Sequence, residues 1–277
     1  MAVIAMTREM GTLGKDVAAG LAERLGLTVV HHELVEHVAE RAGMRESEVH
    51  RFLEGESSLF DRWTIDSKRL SRYTAEEVLE LALRGNVLIR GWGATYLLRS
   101  VPHVICVRIC APMSFREEVL KQRLRVKDDL AAIQREIEGN DAAHNAILKK
   151  LFGIDWMDAT LYAIVLNTAR VSVDQCIELV AGLVQSPAYQ ETAQSRSALM
   201  DELTLSRVRF ALDVSLRSKV PALGSVAATV SQGKVTLTGA HSDKRLIGEA
   251  VGRVQRVEGV TSVENQITRI IQGRSSM

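Results

Sequence analysis

Residues 7–27 read TREMGTLGKDVAAGLAERLGL, and the fold turns on whether these glycines form a phosphate-binding loop or a plain turn. The preceding run, Ala2 to Met6, is apolar over one strand's length, and Lys15 to Leu25 places Val17, Leu21 and Leu25 along one helical face. The order is strand, glycine loop, helix. A phosphate loop works because successive backbone N–H groups at a helix N-terminus surround phosphate oxygens. A lysine then reaches the terminal phosphates, and a neighbouring Ser or Thr binds Mg²⁺. Here Gly14 and Lys15 fit the end of that pattern, Glu9 stands at its first glycine and Asp16 at its hydroxyl. From the residues alone, Gly11 and Gly14 suit equally a tight strand-to-helix turn with Lys15 in solvent.

Outward from the loop, strands alternate with helices. His32 to Ala42 predicts a helix, and Thr74 to Leu83 another, with Thr74 and Glu77 at capping-box spacing. Gly85-Asn86 ends that helix before the buried-type run Val87 to Ile89. His103 to Ile109 is apolar on both faces, a charged helical region follows from Ser114 to Asn140, and Thr160 to Val184 gives a strand and an amphipathic helix. Such alternation predicts an α/β fold, a parallel sheet wrapped by helices, over residues 1–184.

Residues 185–200 are polar, include Pro187 and read as a linker or a fraying helix end. Residues 201–277 then predict a small α+β domain in the order α-β-β-α-β. Its first helix carries Leu205, Val208, Leu212 and Leu216, and Ser231-Gln232-Gly233 marks a hairpin.

The chain has 277 residues, 46% of them hydrophobic, enough for a substantial core. Lys and Arg number 35 against 34 Asp and Glu, so no basic excess argues for nucleic acid as a partner. No run approaches the roughly 18 apolar residues of a membrane span, and the apolar start is too short for a signal peptide. Cys106, Cys110 and Cys176 form neither a disulfide framework nor a zinc pattern, which predicts reduced thiols and a cytoplasmic protein.

TREMGTLGKDVAAGLAERLGL resembles the opening of the cytidylate kinase-like family, whose loop usually reads Ser-Arg-Glu-Tyr-Gly-Ser-Gly-Gly-Arg and commonly lacks the hydroxyl residue. VVHHELVEHVAERAGM (29–44), GNVLIRGWG (85–93), VRICAPMSFRE (107–117) and FGIDWMDATLYAIVLNT (152–168) extend the resemblance across residues 1–184. It implies a P-loop kinase fold and ATP as donor. Gly11, Thr12, Leu13, Gly14, Lys15 and Asp16 would hold the donor phosphates, and Lys15, Arg116 and Arg123 would stabilise the transferring group; a solvated helical face is the other reading of the two arginines. Asp141 matches the first residue of the family's Asp-x-x-Arg element, which helps hold the acceptor nucleotide; a surface carboxylate is the other reading. His144 replaces the arginine of that element, so a bidentate donor becomes a weaker, pH-dependent one. Trp92 and Gly93 stand where the family has Arg-Asp, with Arg90 a nearby substitute, and His31 and His32 replace Asp and Arg. Asp16 could hold Mg²⁺.

Residues 201–277 resemble the BON domain family through GKVTLTG (233–239) and VEGVTSVENQI (257–267). That resemblance implies a module binding a lipid surface or a small ligand. Eleven Lys and Arg against seven Asp and Glu leave an excess of four cations in this part. Two functions follow as expectations: an ATP-dependent phosphotransferase acting on CMP or a related nucleoside monophosphate, or a catalytically silent nucleotide sensor coupled to the BON-like part.

Overall fold

The computed structural model describes residues 1–31, 33–49, 67–91, 93–124, 130–216 and 226–269. Two compact units divide the chain, Met1–Thr192 and Ala193–Met277. The expectations for His32 and Trp92 lie outside the described residues.

The first unit is a five-stranded parallel sheet. Its strands are β1 (Val3–Arg8), β2 (Thr28–Val30), β3 (Val87–Arg90), β4 (Val104–Cys110) and β5 (Ile164–Asn167), in the order β2-β3-β1-β4-β5. Val3 pairs with Val87 on one side and Val104 on the other, which centres β1. All but the last residue of β1 and of β4 are buried, because helices cover both faces of the sheet.

The helices are α1 (Gly14–Leu25), α2 (Glu33–Ala42), α3 (Ser67–Arg84), the single turn α4 (Ala94–Leu97), α5 (Met113–Leu124), α6 (Leu130–Phe152) and α7 (Val173–Gln185). Val17 and Leu21 of α1 and Cys176 and Val180 of α7 pack with Ile4, Met6, Val107 and Ile109 into one core. Cys106 and Cys176 are buried free thiols, and Cys110 is a half-buried one. Among the described residues no helix is long and apolar enough to cross a membrane.

Two local expectations are corrected. Thr74 does not cap a helix: α3 begins at Ser67, and the buried Thr74 hydroxyl donates to the Leu70 carbonyl 2.9 Å away inside the helix. Glu77 accordingly turns from a capping role to α2, where it meets Arg41 at 3.1 Å and His37 at 2.9 Å. The charged region after β4 is two helices, α5 and α6, and α6 runs on to Phe152.

The second unit consists of α8 (Ala193–Leu216), β6 (Val226–Ser231), β7 (Lys234–His241), α9 (Lys244–Val254) and β8 (Ser262–Arg269). Helix α8 begins inside the stretch expected to be linker, because Leu199 and Leu203 supply it with a buried face. The antiparallel β6–β7 pair turns at Gln232 and Gly233, both at positive φ (50° and 75°), as a two-residue hairpin matching strand twist requires. Asp201 accepts from both turn amides, at 2.7 and 2.9 Å. Strand β8 adds parallel to β7, and Val208, Leu212, Val235, Leu237, Ala250 and Val254 close the core.

Candidate functional site

The loop from Glu9 to Leu13 leaves the C-terminal end of the central strand and feeds α1. Brought by the sheet order, β3, β4 and the turn after β5 end beside it. Gly11 takes φ 80° and Leu13 φ 58°, so the chain coils left-handed on entering the helix. Gly11 also lies against α5: a Cβ there would stand 2.7 Å from the Arg116 carbonyl oxygen.

Hydrogen bonds hold the loop from several directions. Thr12 Oγ1 donates to the Glu9 carbonyl at 2.8 Å, and Thr168 Oγ1 donates to the Thr12 carbonyl at 2.7 Å. Arg116 Nε donates to the Met10 carbonyl at 2.6 Å. The carbonyls are therefore turned into the protein. No acceptor among the described residues takes the backbone N–H groups of Gly11, Thr12, Leu13 or Gly14. A run of such donors at a helix N-terminus is the arrangement that receives an anion.

Beside the loop lies a buried charge network. Glu9 is 5% exposed, and its carboxylate pairs with Arg108 Nη2, accepts from the Ala111 amide at 3.2 Å and stands 3.7 Å from Arg116 Nη1. Arg116, 4% exposed, also grips Asp141 in a fork, Nη1 to Oδ2 at 2.8 Å and Nη2 to Oδ1 at 2.9 Å. Two carboxylates thus meet two guanidiniums, which makes burial of Glu9, Arg108 and Arg116 tolerable, with Asp141 partly exposed at 25%. Burial lifts the neighbouring Cys110 thiol above its usual range, and the Glu9 charge adds to the rise.

The candidate residues fall into three groups. Lys15 and Asp16 are exposed at the start of α1, and Arg123, 40% exposed, meets Asp16 with Nη2 2.5 Å from Oδ2. Arg116 and Asp141 are joined to each other. His144, one turn further along α6 and half-buried, packs against the Trp156 ring at a tilt of 54° with centroids 4.5 Å apart. Burial pushes its imidazole down to about 4, with Asp141 opposing the fall and Arg8 adding to it. His144 is therefore neutral at neutral pH, a weaker replacement for arginine than one that carries charge. Arg90 is on a separate element, the end of β3, where its carbonyl lies 3.1 Å from His31 Nδ1.

Among the described residues no three His, Cys, Asp or Glu side chains cluster to hold a metal ion. A Mg²⁺ ion would take Asp16, phosphate oxygens and water, a donor set that this ion accepts.

Sequence reasoning missed Arg108 and the role of Glu9. A signal was present: Arg108 is the lone charge within an otherwise apolar strand, and such a group requires a buried partner.

A model of the cytidylate kinase-like family matches residues 3–170, and a BON domain model matches residues 201–270. The cytidylate kinase of Pyrobaculum aerophilum is 25% identical over 180 residues, spanning 65% of this chain and 90% of its own. That of Methanopyrus kandleri is 25% identical over 177 residues, spanning 61% and 85%. Among solved structures, an uncharacterized protein from Eubacterium ventriosum shares the fold with a TM-score of 0.50 at 20% identity, covering 66% of this chain and 97% of that one.

Proposed function

The chain belongs to the cytidylate kinase-like family, and from that premise we propose that it transfers a phosphoryl group from ATP to CMP or a related nucleoside monophosphate. The observation that carries this reading is the run of backbone N–H groups from Gly11 to Gly14, which have no acceptor among the described residues, at the head of α1. In this reading those amides and Lys15 take the donor phosphates. Asp16 would hold Mg²⁺ beside the phosphates, and the ion would supply charge neutralisation for the transfer. Of the two arginines on α5 that the family resemblance singles out, Arg123 has the exposed side chain, 40% against 5% for Arg116, and it reaches the transferring group. The acceptor lies toward Arg90, Asp141 and His144.

The second unit, matched by the BON domain model, binds a small ligand or an anionic lipid surface. Lys244, Arg245 and Arg253 are exposed along α9 and supply the cations for it.

Phosphoryl transfer from ATP across a panel of nucleoside monophosphates tests the first reading. Wild-type turnover with CMP, reduced on the order of 10²–10³-fold in Lys15→Ala, is the expected result. Folded protein that turns over no acceptor overturns it.

A second reading, a nucleotide-binding protein without transfer, is favoured by two observations: Asp141 is already held by Arg116, and burial pushes the His144 imidazole down to about 4. Calorimetry with ATP separates the two. Binding without turnover supports the silent protein, and sedimentation of the full chain with anionic vesicles tests the surface role.

A further inference from the structure

Arg116 touches the loop twice. Its carbonyl oxygen lies against Gly11, where an added Cβ would approach to 2.7 Å, and its side-chain Nε donates to the Met10 carbonyl at 2.6 Å. In a trans peptide the carbonyl and the following N–H point in opposite directions from one plane. No peptide among the described residues is cis, so fixing the Met10 carbonyl toward Arg116 fixes the Gly11 N–H away from it. The orientation of the first donor in the run is thus set by a side chain from α5.

Arg116 is itself set by two carboxylates. Asp141 on α6 occupies both terminal nitrogens, and Glu9, at the foot of the loop, adds its charge at 3.7 Å. The guanidinium is planar, so fixing Nη1 and Nη2 on Asp141 also fixes the direction of Nε. A contact on α6 is thereby transmitted to a peptide plane of the loop.

We infer that Arg116 is a positioning residue that orients the Gly11 amide of the donor loop, with Asp141 acting through it. Asp141 therefore governs donor binding without touching the donor. The inference rests on the loop being the donor phosphate site. It differs from a plain acceptor role for Asp141, which would leave donor affinity unchanged.

The test compares wild type with Asp141→Asn, Arg116→Lys and Glu9→Gln in the full chain. Amide hydrogen exchange is followed at residues 11–14 without ligand, and ATP affinity is measured by calorimetry with no acceptor present. Asp141→Asn is expected to weaken ATP binding about tenfold and to speed exchange at residues 11–14 by a similar factor. Exchange in β6 and β7 stays unchanged. The double variant Arg116→Lys/Asp141→Asn binds ATP no more weakly than Arg116→Lys alone, because the two residues act in series. ATP affinity and loop exchange both unchanged in Asp141→Asn would overturn the inference, as would full additivity in the double variant. Should Arg116→Lys fail to fold, Asp141→Asn and Glu9→Gln decide by loop exchange. A wild type that binds no ATP overturns the donor-site reading, while loop exchange still decides the clamp.

Discussion

Arg123 of α5 and Asp16 of α1, 107 residues apart, meet with Nη2 2.5 Å from Oδ2, the aspartate standing where phosphate loops usually carry a hydroxyl. Both side chains are substantially exposed, at 40% and 48%. An exposed pair of this kind contributes little to stability, about 0–1 kcal/mol. Under the proposed function, a donor triphosphate at the loop would compete with Asp16 for the guanidinium, and the freed carboxylate would be available to hold Mg²⁺. Arg123→Ala is expected to shift the melting temperature by no more than about 2–4 °C. Its turnover number falls on the order of 10²-fold. Thermal melts beside steady-state kinetics check both halves.

A second prediction concerns Gly11, at φ 80° with the Arg116 carbonyl where a Cβ would go. Gly11→Ala meets both backbone strain and a backbone clash, and neither relaxes by a side-chain rotation. A loss of about 1–3 kcal/mol is expected in denaturant unfolding, together with loss of ATP binding. Gly26→Ala is the control. It has φ 63° but nothing within 4 Å, so it carries the strain without the clash and keeps ATP affinity.

The pH dependence of stability has a sign that His144 sets. Burial lowers its imidazole from 6.5 to about 4, so between those values the unfolded chain holds more protons than the folded one. Stability attributable to His144 is complete above pH 6.5 and falls as pH drops toward 4. Melting temperatures from pH 7 to pH 4 in wild type and His144→Gln check this, with a shallower acid decline expected in the variant. Between pH 7 and 8 this group stays neutral and confers no pH dependence on activity.

In the second unit, Asp201→Ala removes the acceptor of the Gln232 and Gly233 amides. Hydrogen bonds to a charged group are worth about 1.5–3 kcal/mol, so the β6–β7 pair is expected to exchange its amide protons faster by on the order of tenfold or more. Amides of β1 and β4 keep their wild-type rates. Equal loss of protection in both units would contradict the independence of this turn.

The alternation of apolar strands and helices was legible because the central strands β1, β3 and β4 are buried on both faces, which makes them continuous apolar runs. The hairpin at Gln232-Gly233 was legible because a two-residue turn admits few residue types. Thr74 misled because a buried threonine hydroxyl can satisfy itself on the helix's own Leu70 carbonyl, a choice that spacing does not reveal. The loop's position was readable, but its support was not. Glu9, Arg108, Arg116 and Asp141 become neighbours through the parallel pairing of β1 with β4, which sets Arg8 opposite Ile109. That pairing is a property of sheet order, and no local pattern encodes it.

The central place of β1 bears on the chain during its synthesis. The strand and its loop are made well before their pairing partners, residues 87–90 and 104–109. At about 5–20 residues per second, the growing chain waits on the order of ten seconds before this strand can acquire both neighbours. For that interval the apolar segment Val3 to Met6 lacks both of the strands that cover its edges in the fold.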